Sequence, residues 1–290
     1  MYQTRELERI SKKLVDTIED ELSRVGLFYR IFYRVKSSDS TKSKVIRKGE
    51  NYYNEKGKLI RDIIGIRVVF YFSDDIDLIY KYLRSKFQFI EETVDKLHKT
   101  EFAPTRINIV FRLPYADMIK EFSDIVNNKL VDSTFEVQLR TILSEGWHEI
   151  DHDLRYKSLN DWENSNDLER NFNGILATLE TTDYSTLRLF DQLSYRHYKS
   201  KSFIAMFKTK FRLKFVNQEI SKDLNIHLTE SFIKDIYKLD RIEVIQFLLN
   251  IKFFAPLTFE YFIYLLNLQF IRNDKILEIT PKEIIDELTS

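Results

Sequence analysis

Apolar residues recur along this chain with two periods, and one gives way to the other at Phe135-Glu-Val-Gln-Leu-Arg-Thr141. Phe135, Val137 and Leu139 alternate with Glu136, Gln138 and Arg140, the pattern of a strand with one buried face. The stretch that follows, through Trp147-His-Glu-Ile-Asp-His152 to Arg155-Tyr-Lys157, has helical spacing. A strand that commits Glu, Gln and Arg to one face is either solvated there or lines a site. Alternation alone leaves both readings open.

The same reading extends to both sides. Leu7, Ile10, Leu14, Ile18 and Leu22 predict an amphipathic helix from residue 2 to about Gly26. Phe28 to Val35 is aromatic and β-branched, a predicted strand, and the Ser37/Asp39 cluster predicts an N-cap for a short basic helix carrying Lys44, Arg47 and Lys48. The apolar run after Asp62, Ile63 to Phe72, is short and β-branched, as a central strand is. A helix from Asp74 to about Phe87, strands at Phe87 to Val94 and Arg106 to Leu113, and a helix from Tyr115 to Asn128 complete about five strands with interspersed helices. The expected fold class is therefore α/β (α+β), a mixed sheet flanked by helices.

Beyond Lys157 the pattern turns helical. Residues 158 to 195 read as helix, and Ile220 to Leu288 as three or four short helices interrupted by Pro256 and Pro281. Between them, Arg196 to Gln218 carries His197, Lys199, Lys201, Lys208, Lys210, Arg212 and Lys214 without an acid. Its Phe203, Phe207, Phe211 and Phe215 recur every four positions while its later cations alternate every two, so periodicity does not separate helix from strand. The run is either an amphipathic element with lysines in water or a surface for a nucleic-acid backbone. The expected division is a first domain at 1–158 and a helical C-terminal region at 159–290 that serves as a substrate, partner or oligomer interface.

Composition narrows the function classes. With 43% hydrophobic residues, six Gly and four Pro in 290 residues, the chain can bury a sizeable core and is not a linker. Lys plus Arg equal Asp plus Glu at 45 each, so any anion site is local and not a property of the whole surface. The absence of cysteine excludes disulfides, thiolate zinc and a cysteine nucleophile, which fits the cytoplasm. Met1-Tyr-Gln-Thr-Arg-Glu has no apolar leader, and no apolar run has membrane-crossing length, so a soluble, unexported protein with no membrane partner is expected.

Two acids stand out. Asp62 opens one predicted strand and Glu136 lies on another, and carboxylates brought together from adjacent strands hold magnesium against nucleotide phosphates or deprotonate a hydroxyl. Arg34, Lys36, Lys44, Arg47, Arg67 and Arg140 supply enough cation to neutralise a triphosphate. Taken singly, each has another explanation: Asp62 can pair with Arg61 or Arg67, and Glu136 with Arg140.

Four blocks in order resolve this: Arg34-Val-Lys36-Ser37 with Ser40 and Lys44; Asp62-Ile-Ile-Gly65-Ile-Arg67-Val-Val; Glu136-Val-Gln138-Leu-Arg140-Thr; and Trp147 with Asp151-His152 and Arg155-Tyr-Lys157. Over roughly residues 10 to 160 the series resembles the synthetase domain of the RelA/SpoT family, in its small alarmone synthetase or toxin-like form. The resemblance implies a nucleotidyltransferase-like mixed sheet that transfers pyrophosphate from ATP to the 3′ hydroxyl of GDP or GTP, giving (p)ppGpp. It implies that Arg34, Lys36, Ser40, Lys44 and Arg47 grip ATP, that Asp62 ligands Mg2+, and that Arg67, Gln138 and Arg140 add phosphate-side contacts. Glu136 would be the second acid, activating the hydroxyl or sharing the metal. His152 and Tyr156, four apart on one helical face, are expected as a supporting pair packed in the core.

One departure bears on the acceptor. The family's Tyr-x-Ser-x-His signature, whose tyrosine stacks on guanine, is replaced here by Thr105, Ile107 and Ile109, with Phe102 and Tyr115 as nearby aromatics. Loss of one such stack costs about 1–3 kcal/mol of base binding. The expected acceptor is accordingly GDP/GTP or, as in toxin-like relatives, the 3′ end of tRNA. A catalytically silent nucleotide sensor is the alternative. A hydrolase domain is not expected, because residues 1–25 leave no space for one and the chain has only five histidines.

Overall fold

Helix α1 (Thr4–Val25) leads into β1 (Tyr29–Val35), α2 (Ser38–Lys48), β2 (Ile64–Phe70) and α3 (Asp74–Lys86). There follow β3 (Phe89–Val94), β4 (Ile107–Arg112), α4 (Ala116–Val126), β5 (Thr134–Thr141) and α5 (Ile142–Ile150). The computed structural model describes residues 2, 4–49, 52–94, 107–253 and 256–289. The strands form one sheet in the order β1-β2-β5-β4-β3. β2 and β5 run parallel, and the other three pairs are antiparallel. It is a mixed five-stranded sheet flanked by helices and followed by a helical C-terminal region.

Strand alternation sorts the two faces. Ile64, Ile66, Val68 and Phe70 of β2, Ile109 and Phe111 of β4, and Phe135, Val137 and Leu139 of β5 are buried, in a core with Leu7, Ile10 and Leu14 of α1, Ile79 and Leu83 of α3, and Phe122 of α4. Each such side chain contributes ~1.5–3 kcal/mol by leaving water. The other face carries Phe32 and Arg34 on β1, Gly65 and Arg67 on β2, Glu136, Gln138 and Arg140 on β5, and Asn108 on β4. The alternation read from Phe135 onward thus divides a packed face from a polar one.

By packing, the chain separates into two compact units, 1–19 with 29–184 and 20–28 with 185–290. Residues 159–184 therefore pack with the sheet and 20–28 with the helices, whereas the expected division was 1–158 and 159–290.

Among the described residues after 220 there are six α-helices, where three or four were expected: α8 (Lys222–His227), α9 (Glu230–Lys238), α10 (Arg241–Asn250), α11 (Phe259–Leu266), α12 (Asp274–Ile279) and α13 (Lys282–Thr289). Before them run α6 (Asn166–Lys199) and α7 (Phe203–Phe211). The extra breaks are written in caps: Ser221, Thr229, Asp240, Thr258 and Asn273 each accept a backbone N–H from the first turn of the helix that follows. The ambiguous basic run is helix only to Phe211, burying Met206, Phe207 and Phe211. Arg212 then turns left-handed, with φ 49°, and the Lys214 N–H donates to the Gly26 carbonyl at 2.7 Å. Phe203, Phe207 and Phe211 thus share the helix with Lys208 and Lys210, while Arg212, Lys214 and Phe215 lie beyond it.

Candidate active site

Polar groups converge where β1, α2 and the lead into β2 meet. Ser37 ends β1's extension and caps α2, accepting the Ser40 N–H at 3.2 Å, which sets Lys44 two turns along that helix. Lys36 is held by its own N–H on the Ile63 carbonyl at 2.8 Å. The ammoniums of Lys36 and Lys44 both reach Asp62 Oδ2, at 2.8 and 2.7 Å. Asp62 Oδ1 is buried without a hydrogen-bond partner among the described residues. Burial alone would raise the Asp62 carboxyl, but the two lysines outweigh it and hold it below the usual carboxylate range.

Glu136 stands on the neighbouring parallel strand, opposite Gly65, which in turn pairs with Arg34. Arg34 lies across Gly65, its Cγ 3.6 Å from where a Cβ would stand. Burial and then the charge of Asp62 push the Glu136 carboxyl up, against Gln138, Arg34 and Lys44. Two carboxylates on adjacent elements are thus driven in opposite directions by their surroundings.

One step along β5, Gln138 joins acid to cation. Its Nε2 donates to Glu136 at 3.2 Å, while its Oε1 accepts from Arg67 Nε at 3.2 Å and Arg140 at 3.3 Å. Arg67 also donates to Glu145 at 2.5 Å and to Glu149, and Arg140 to Glu145 at 3.1 Å. Glu145 and Glu149 belong to α5, which starts at Thr141 in a reciprocal cap with Ser144. Thr141 also donates to the buried Asp183 carboxylate at 2.6 Å, so strand end and helix start are pinned by one hydroxyl. The cleft bounded by Phe32, Arg34, Arg67, Gln138, Glu149 and His152 encloses about 570 Å³, within the range that takes a nucleotide-sized ligand.

Of the residues singled out in the sequence, the structure brings together Lys36, Lys44 and Asp62 in one cluster and Arg67, Glu136, Gln138 and Arg140 in a second. Arg34 lies beside Glu136 across Gly65. Ser40 faces water and bonds Ser37, and Arg47 stands exposed in the last turn of α2, outside both clusters. His152 is half-buried and lines the cleft, whereas Tyr156 is exposed, with the two rings stacked 6.2 Å apart. They form a rim stack and not the packed core pair expected, because the chain leaves α-helical geometry through a wide turn at Asp151–Arg155. Phe102, Pro104, Thr105 and Arg106 lie outside the described residues. Glu145 and Glu149 were missed; their signal was the spacing of four that puts both on the face of α5 one turn after Thr141. Asn108 was also missed, although alternation sets it beside Gln138 on the polar face.

Residues 33–161 match the family described as "Region found in RelA / SpoT proteins". No curated protein matches this chain. Among solved structures, the chain is similar to small alarmone synthetase 1 from Bacillus subtilis, with 20% identity over 62% of this chain and 92% of that one, and a TM-score of 0.45. It is similar to small alarmone synthetase 2 from Bacillus subtilis, with 20% identity over 63% and 91% and a TM-score of 0.47. A GTP pyrophosphokinase family protein from Streptococcus pneumoniae gives 19% identity over 62% and 87%, with a TM-score of 0.46. Residues 33–161, which contain both acids and the cations that converge on them, are thus the part of the chain that matches the region found in RelA / SpoT proteins.

Proposed function

We propose that the sheet-bearing unit binds ATP with Mg2+ and transfers its pyrophosphate to the 3′ hydroxyl of an acceptor nucleotide. The observation that carries this reading is the convergence of Lys36 and Lys44 on Asp62 beside a second, half-buried carboxylate, Glu136. Arg34, Lys36, Lys44 and Arg67 bind the triphosphate, with Ser40 and Arg47 at the margin of α2 and Gln138 and Arg140 orienting Arg67 and Glu136. The donor set fits magnesium: Asp62 has a buried oxygen without a partner, and this hard cation takes one or two carboxylates with the rest of its shell from phosphate and water. Asp62 would hold the ion with Glu136 within reach as a second ligand, and the ion would neutralise charge building on the transferred phosphates.

Glu136 is the group suited to the hydroxyl. Its raised affinity for a proton makes it a better base than an ordinary surface carboxylate, and Gln138 fixes its orientation. The acceptor oxygen bonds to the β-phosphorus as the bond from that phosphorus to the α–β bridging oxygen breaks. AMP leaves and the hydroxyl proton passes to Glu136. The acceptor is GDP or GTP, giving (p)ppGpp, or the 3′ end of tRNA in a toxin-like role.

One observation favours the second reading, a catalytically silent nucleotide sensor: Arg67 is already engaged by Gln138, Glu145 and Glu149. Incubation with γ-labelled ATP and Mg2+, offering GDP, GTP and deacylated tRNA in turn, separates the two. Label appearing on one acceptor, and disappearing with Glu136→Gln, supports transfer and identifies the substrate. ATP binding without label on any acceptor rejects the enzyme and leaves the sensor.

A further inference from the structure

Asn108 is the second residue of β4, on the polar face of the sheet, opposite Gln138 of β5 and Thr93 of β3. Its Oδ1 is buried with no hydrogen-bond partner among the described residues. A buried carbonyl oxygen without a donor is a rarity and calls for an explanation, for which a bound group is one source. Gln138, its neighbour, is turned to other partners: its Nε2 donates to Glu136 and its Oε1 accepts from Arg67 and Arg140. Asn108 lies on the diagonal from Glu136 across the β4–β5 pair, a separation of about 7–8 Å at the backbone, which two inward-reaching side chains close onto a single sugar.

We infer that Asn108 is the residue that selects a ribonucleotide acceptor, its side-chain oxygen accepting from the 2′ hydroxyl while Glu136 faces the 3′ hydroxyl. This rests on the pyrophosphate-transfer reading and adds to it the feature of the acceptor that is recognised. The chemistry matches: Arg34, Lys36, Lys44 and Arg67 lie on or directly after β1, on α2 and on β2, where phosphate is held, while Glu136 and the Asn108 oxygen both accept from hydroxyls. Asn108 is half-exposed with its oxygen turned inward. Its terminal torsion is soft and roughly two-fold, so the oxygen turns to the cleft when a donor arrives.

The experiment compares transfer to GDP with transfer to 2′-deoxy-GDP, and to deacylated tRNA with tRNA ending in 2′-deoxyadenosine. The wild type is expected to favour the ribo form by roughly tenfold or more in kcat/KM. Asn108→Ala is expected to bring the ribo rate down to the deoxy rate, and Asn108→Asp, which keeps an oxygen in place, to retain the preference. Binding of a fluorescent ATP analogue at wild-type affinity shows that the Ala variant is folded. Equal use of ribo and deoxy acceptors by the wild type would overturn the assignment, as would an undiminished preference in Asn108→Ala or an equal slowing on both acceptors. No transfer to any acceptor by the wild type would remove the underlying reading and the role of Asn108 with it. That result is distinct from transfer that ignores the 2′ hydroxyl, which removes the role of Asn108 alone.

Discussion

Two stretches of this chain are dense in cations, and the fold treats them differently. Between Arg34 and Lys48 the positive charges are carried on a strand and the helix after it, and two of them meet on one carboxylate whose second oxygen is left over. Between Arg196 and Lys214 they are spread out. Lys201 pairs with Glu230, Arg212 with Asp191 at 3.7 Å, and Lys208 with Gln218 at 3.3 Å. Lys199, Lys210 and Lys214 lie over the rings of Tyr195, Tyr237 and Phe28. Lys210 is buried enough that its ammonium is easier to deprotonate than an ordinary lysine. Arg24 of the same unit is spent on helix ends, donating to the Leu248 and Ile251 carbonyls at 2.9 and 2.8 Å. Charge density is similar in both stretches. What sets the first apart, and makes it the candidate site, is convergence on an acid that is itself incompletely satisfied.

The sharpest way to break this contrast is Glu136→Gln, for which pyrophosphate transfer should fall by roughly 10²–10⁴ with ATP binding retained. Transfer at the wild-type rate would move the chemistry elsewhere. Lys44→Ala should raise the KM for ATP by about tenfold to a hundredfold, since a hydrogen bond to a charged group contributes ~1.5–3 kcal/mol. It should also let the Asp62 carboxyl drift upward, because one of the two cations that oppose its burial is gone, and carboxylate NMR titration reads that directly. In the other stretch, Lys208→Ala combined with Lys214→Ala should change stability by less than about 0.5 kcal/mol and leave the KM for ATP alone. A loss of transfer to tRNA together with a flatter salt dependence would instead make this run a nucleic-acid surface.

A smaller effect concerns Asp183, whose carboxyl is raised from 3.8 by burial, with the Thr141 hydroxyl opposing. A carboxyl raised on folding contributes stability that is fully present below its unfolded value and is lost as pH rises through its folded one. Asp183→Asn keeps an oxygen for Thr141 and removes the charge, so its Tm should gain on that of the wild type as pH rises from about 4 to 8. A constant difference across that range would mean that Asp183 is not the group titrating.

The strands and helices of the first unit were legible because each alternation or helical stripe faces a single core, and the four blocks that carry both acids were legible as a set. Asn108 was not. Ile107 and Ile109 lie on the core face of β4, whereas its polar face carries the residue between them. Glu145 and Glu149 escaped for a related reason: they act on Arg67 from another element, 78 and 82 residues away, and no local pattern records that distance. The helices of the second unit were undercounted because apolar spacing runs on through breaks that only the Ser, Thr, Asp and Asn caps declare.

At Thr141 a strand becomes a helix with no residue in between. The connection has no slack, so the rotational phase of α5 is geared to the pleat of β5. One inserted residue there would turn the helix by about 100°. Glu145 and Glu149 would swing off Arg67 together while every strand kept its register. Over evolutionary time such a junction can exchange side chains, but it cannot change length without unmeshing the cleft.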